Sequence, residues 1–181
     1  FITQICAARG IRGRIAESRG RLFKLALAWC GDAMLADDLV QDTLATAIQK
    51  HHQLREPERL HAWLCSVLNN TWRQHLRRQR PQEELQEDRL AGSSSPESSA
   101  GEQELVQRVR EAVAALPAPQ RQVVTLVDLE EFSYCEVADI LEIPVGTVMS
   151  RLHRARRSLQ ALLQDQDSPV PAIRIRRDRR G

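Results

Sequence analysis

The sequence predicts an all-α protein: two small helical domains joined by a flexible linker, the second a four-helix helix-turn-helix domain. Three observations carry this expectation. Apolar residues recur at helical spacing in both halves of the chain. A stretch rich in Ser, Glu and Gln, residues 82–104, divides those halves. Only 42% of the 181 residues are hydrophobic and 4% aromatic, which suits thin helical cores better than one deep pocket.

Residues 10–81 read as three helices. Ile15, Leu22, Leu25, Ala26 and Trp29 keep helical spacing up to Gly31, a stop signal. Asp32 is then a candidate N-cap. The helix that follows carries Leu35, Leu39, Val40, Leu44 and Ile48 on one side and Asp37, Asp38, Gln41 and Asp42 on the other. A polar loop with Pro57 leads into a third helix from about Leu60 to Arg78, ended by Pro81. Its inner stripe is Leu64, Val67, Leu68, Thr71, Trp72, His75 and Leu76. Asn69, Asn70, Arg73, Gln74, Arg77 and Arg78 lie largely outside that stripe.

Residues 82–104 hold seven acids against Arg89 and cannot bury enough apolar surface to offset their ordering entropy; they read as an acidic linker. Residues 105–164 read as four helices. The first runs to Leu116 and breaks at Pro117-Ala118-Pro119. The second spans Gln120 to about Glu131. Ser133 caps the third, with Glu136 three residues on completing a capping box. Glu142-Ile143-Pro144 breaks the chain before a last helix, whose Val148, Leu152, Ala155 and Leu159 face inward. Residues 165–181 read as a loose basic tail.

Composition excludes several functions. Cys6, Cys30, Cys65 and Cys135 form no CxxC pair, so neither a disulfide framework nor a zinc ribbon is expected; plain reduced thiols suit a cytoplasmic protein. His61 and Cys65 are four apart, and such a lone pair reads as packing. No apolar run reaches the ~18 residues of a membrane span, and no secretory signal is visible. With no Gly-rich phosphate loop, nucleophile elbow or metal spacing, the sequence suggests no enzyme, cofactor or metal. The net charge of +2 hides alternating basic and acidic blocks, a pattern that fits several charged partners.

A short helix, a tight turn and a longer basic helix make a helix-turn-helix. Four arginines and no acid lie between Ile143 and Leu163. Arg151, Arg154, Arg156 and Arg157 cannot all reach the core, so most are solvated or on phosphate. Thr147, Ser150 and His153 put short polar groups near the helix start, where base edges lie in a major groove. Ser133 and Tyr134, opening the preceding helix, add backbone N–H groups for phosphate. An autonomous operator-binding regulator would use this same domain; the acidic face of the first domain is what it would not need.

These residues resemble a family. FSYCEVADILEIPVGTVMSRLHRARRSL is similar to the −35-binding segment of extracytoplasmic-function (ECF) sigma factors. DDLVQDTLATAI resembles their polymerase-binding helix, and HAWLCSVLNNTWRQHLRR their −10-binding helix. The resemblance implies a non-enzymatic alternative sigma factor whose partners are core RNA polymerase (β′ clamp helices and β flap), promoter DNA and an anti-sigma factor, without membrane insertion. It assigns Asp37, Asp38, Leu39, Val40, Gln41 and Asp42 to the polymerase. It assigns Asn69, Asn70, Arg73, Arg77 and Arg78 to the melted −10 strand. Ser133, Tyr134, Thr147, Met149, Ser150, Arg151, His153, Arg154 and Arg157 fall to the −35 element. The linker is expected in the path later taken by nascent RNA. Three departures stand out: Met149 where Lys or Arg is usual, Glu142 where Gly is frequent, and Trp72 where a small residue is commoner.

Overall fold

The computed structural model describes residues 2–54, 56–79 and 102–164, except the side chains of residues 2–9, 102 and 103. The basic tail, and the acidic linker up to residue 101, lie outside the described residues; residues 102–104, expected in the linker, instead open a helix. Eight α-helices are described: α1 Ile2–Glu17, α2 Arg19–Cys30, α3 Ala33–Lys50, α4 Leu60–Gln79, α5 Glu102–Ala114, α6 Ala118–Val124, α7 Tyr134–Leu141 and α8 Val145–Gln164.

The first domain holds four of these helices rather than the expected three. The apolar pattern runs on through Ser18, but the backbone does not. Ser18 turns its hydroxyl back onto the Arg14 carbonyl at 2.8 Å, a side-chain bond that competes with helix continuation. Gly31 closes α2 at φ 73°, its N–H reaching the Leu27 carbonyl at 2.8 Å. Asp32 caps α3 as expected by accepting from the Leu35 N–H at 2.9 Å.

The buried stripe of α3 is Ala36, Leu39, Val40, Thr43 and Ala47. It is rotated from the expected one: Leu35 and Leu44 are half-buried and Ile48 is exposed. Thr43 tolerates burial because its hydroxyl donates to the Leu39 carbonyl at 2.6 Å. Helix α4 buries Leu60, Leu64, Cys65, Leu68, Asn69 and Trp72. Trp72 is therefore core, stacked on His75 with ring centroids 5.8 Å apart.

In the second domain α6 widens at its end into a turn over Thr125–Leu129, where the Glu130 N–H reaches five residues back to the Thr125 carbonyl at 3.0 Å. The capping box at α7 is complete: Glu136 N–H donates to Ser133 Oγ at 3.3 Å, and Ser133 N–H donates to Glu136 Oε2 at 2.9 Å. Helix α8 packs Val148, Leu152 and Ala155 into the core.

The two domains do not stand apart. One apolar core runs from Ile15 to Ala155 through both, with α4 laid against α7 and α2 against α5 and α6. Trp29 Nε1 donates to Thr125 Oγ1 at 2.9 Å across the junction, and Arg121 Nη1 donates to the Trp29 carbonyl at 2.9 Å. Periodicity within each helix shows that a face is apolar; it does not show which helix covers that face.

Candidate polymerase and nucleic-acid interfaces

The acidic helix α3 divides its residues between core and surface. Leu39 and Val40 are buried and leave the surface to their neighbours. Asp37 is occupied by Arg19 at 2.6 Å and by Gln41 at 2.7 Å. Asp38, Gln41 and Asp42 are exposed. Met34, one turn before Asp38 on the same side, is 76% exposed, more than any other large hydrophobic among the described residues. Sequence reading missed it. The signal was there: an apolar residue four positions ahead of Asp38 and outside the stripe.

Helix α4 presents Asn70, Arg77 and Arg78 to solvent. Asn69 and Arg73, placed with them by sequence, are engaged elsewhere. Asn69 is 2% exposed; its Nδ2 donates to the Ile140 carbonyl at 3.1 Å, and its Oδ1 accepts from Gln122 at 3.3 Å. Arg73 Nη1 lies 2.7 Å from Glu142 Oε2. Both partners belong to the second domain.

Helix α8 aims Val145, Met149, His153, Arg154 and Arg157 outward. Thr147, Ser150 and Arg151 are half-buried, with the Ser150 hydroxyl donating to the Thr147 carbonyl at 3.1 Å. Arg156 is held by both Asp128 carboxylate oxygens, and this hydrogen bonding raises its pKa. Arg156 is thereby a structural arginine. Ser133 is exposed and spent on its capping box, whose bonds hold the Glu136 carboxyl below the usual range. Tyr134 is half-buried beside it. The α8 face thus combines short polar groups, two apolar residues and free arginines at a helix start, the equipment for reading a major groove.

At the junction, Glu130 is the hub. Its Oε2 accepts from Arg21 Nε at 2.6 Å and lies 2.7 Å from His61 Nε2. Phe132 stacks on His61 at 5.3 Å, and Cys65 Sγ sits 3.8 Å from the same His61 nitrogen. Burial pushes the Glu130 carboxyl up, but hydrogen bonds from His61 and Arg21 outweigh it and hold the group below the usual carboxylate range. Burial also drives the Cys65 thiol well above its ordinary value, away from reactive thiolate. His61 entered the sequence reading only as packing with Cys65, and Glu130 did not enter it, because nothing local links residues 69 apart.

Comparison with known proteins decides the family. The Sigma-70 region 2 model matches residues 15–82 and the Sigma-70, region 4 model matches residues 106–159. The chain belongs to the ECF sigma factors of the sigma-70 family. It is 33% identical over 153 residues, 84% of each chain, to the ECF RNA polymerase sigma factor EcfG of Rhodopseudomonas palustris. It is 26% identical to SigW of Bacillus subtilis over 81% of this chain and 85% of that one. Among solved structures it is similar to the sigma factor RpoE of Bartonella quintana in complex with the anti-sigma factor NepR. That match has a TM-score of 0.75 and 29% identity, and covers 86% of this chain and 98% of that one. It is also similar to CnrH in complex with the cytosolic domain of CnrY, with a TM-score of 0.61 and 26% identity, covering 88% and 90%. As an ECF sigma factor the chain is a promoter-recognition subunit and not an enzyme. No helix among the described residues is long and apolar enough to cross a membrane.

Proposed function

We propose that this ECF sigma factor divides initiation among three surfaces. Residues 10–81 bind core polymerase through Asp38, Gln41 and Asp42, with Met34 as an apolar anchor against the β′ clamp helices. The same domain holds the melted −10 strand on α4. Residues 105–164 read the −35 duplex with α8 and meet the β flap. Residues 82–101, an acidic linker repelled by DNA, thread the basic channel of the polymerase, and residues 102–104 belong to α5. The protein acts in the cytoplasm, where polymerase and promoter are, and an anti-sigma factor covering these faces is its natural inhibitor; the Bartonella quintana sigma factor it resembles is itself bound to an anti-sigma factor.

The observation that carries the reading is the outward face of α8: His153, Arg154 and Arg157 lie exposed in a helix that contains no acid. Two short basic modules make few base contacts each, so specificity needs both of them held at fixed spacing by polymerase. The test is run-off transcription from a promoter library with core polymerase, with and without the protein. Specific initiation only in its presence is expected. Tight, sequence-specific duplex binding by the chain alone at physiological salt, with no effect on polymerase, overturns the reading in favour of an autonomous regulator.

A further inference from the structure

We infer that this sigma factor partly masks its own −10 helix: α4 is an interaction surface for the second domain of the same chain, and the pair Arg73–Glu142 is a latch between them. The inference deepens the proposed function and rests on the reading of α4 as the −10-binding helix.

Three observations converge. First, part of the polar edge of α4 is consumed. Asn69 is buried with both its amide groups bonded to the second domain, and Arg73 is paired there as well. A side-chain amide buried in this way, with a bond at each end, has no open edge to offer a base. Second, Glu142 sits in the left-handed region at φ 55°, closing α7. Glycine takes that conformation without the roughly 1 kcal/mol that a side chain incurs there. A glutamate at this position makes the α7–α8 turn less stable, yet it sets a carboxylate 2.7 Å from Arg73. The unfavourable residue is explained by its partner across the junction. Third, the closure is anchored away from α4 by Glu130, whose partners Arg21 and His61 both lie in the first domain.

The masking is selective. Arg77 and Arg78 stay exposed, so positive charge remains available to phosphate, and Asn70 keeps one open amide, while Asn69 and Arg73 are withdrawn. Met149, His153, Arg154 and Arg157 of α8 are also open. The closed chain therefore retains duplex contact and non-specific single-strand affinity, and its specific −10 capture is weakened until the domains part. Separation on polymerase restores Asn69 and Arg73 to the strand.

The experiment compares the full-length wild type with Glu142→Gly and with Glu142→Gly combined with Glu130→Gln. Glycine suits the left-handed turn, so the first change removes the latch without harming the fold. Small-angle scattering reads opening as an increased radius of gyration. Binding of a single-stranded oligonucleotide carrying the −10 sequence selected in run-off assays, against a scrambled one, reads unmasking. Discrimination between the two should rise about fivefold for Glu142→Gly, since the pair it removes is partly exposed. It should rise about tenfold or more for the double variant, which also loses the charge-assisted bonds of Glu130. Affinity for the scrambled strand should stay within about twofold of wild type. An unchanged radius in both variants overturns the latch. A larger radius with unchanged discrimination overturns the masking. Failure of the −10 reading is separable, because it appears as wild type that supports no promoter melting with core polymerase.

Discussion

At the scale of single residues, the α8 arginines separate by what they touch. Arg156 is bound by Asp128, whereas Arg154 stands free beside His153. Arg154→Ala should cost roughly 1–3 kcal/mol of discrimination at one −35 base pair, measured by competition among single-base variants of the element. Arg157→Ala should weaken all variants about equally, as loss of a phosphate contact does. An unaltered base preference in Arg154→Ala would mean that another register of α8 faces the bases. On α3, Asp38→Lys should abolish co-purification with core polymerase and leave circular dichroism native, since Asp38 is exposed. The residue types of both faces were legible in the sequence. Which member of each set is free was not, because Asp37 is lost to Arg19 and Arg156 to Asp128 through contacts that spacing does not encode.

At the scale of elements, caps and turns decide where helices begin and end. The Ser133–Glu136 box is local, so four residues sufficed to predict it, and Ser133→Ala should destabilise the second domain by about 0.5–2 kcal/mol in denaturant melts. Glu142→Gly should act oppositely on that domain, by roughly 1 kcal/mol, because φ 55° favours glycine. Together the two melts test whether the α7–α8 turn is strained in favour of its partner. The break at Ser18 escaped the sequence reading, since apolar spacing continues across it and only a backbone carbonyl accepting from the serine hydroxyl reveals it.

At the scale of the whole molecule, one carboxylate between the two domains makes closure sensitive to pH. Glu130 faces Arg21 and His61, with the neutral Cys65 thiol behind them. Its pKa is lowered in the closed state, although burial alone would raise it. A carboxyl depressed in this way contributes its full stabilisation above the usual carboxylate pKa and loses it as pH falls through the lowered value. Closure should thus hold steady on this account from neutrality down to about pH 5 and loosen below about pH 4. The radius of gyration across that range checks this, with Glu130→Gln expected to lack the acid transition. A wild-type transition identical to that of Glu130→Gln would assign the effect to other carboxylates.

The sequence by itself determined most of the helices, the capping box, the helix-turn-helix and the chemical character of each face, because periodicity, capping and charge are written within a few residues of one another. Tertiary structure alone decided that the two domains share one core, that Asn69 turns inward, and that Glu142 and Glu130 work across the junction. Those facts join residues about 70 to 110 positions apart, and an apolar face carries no mark of the surface that will cover it. The one local trace was a glutamate in a turn that suits glycine, and its meaning became readable only when Arg73 was found beside it.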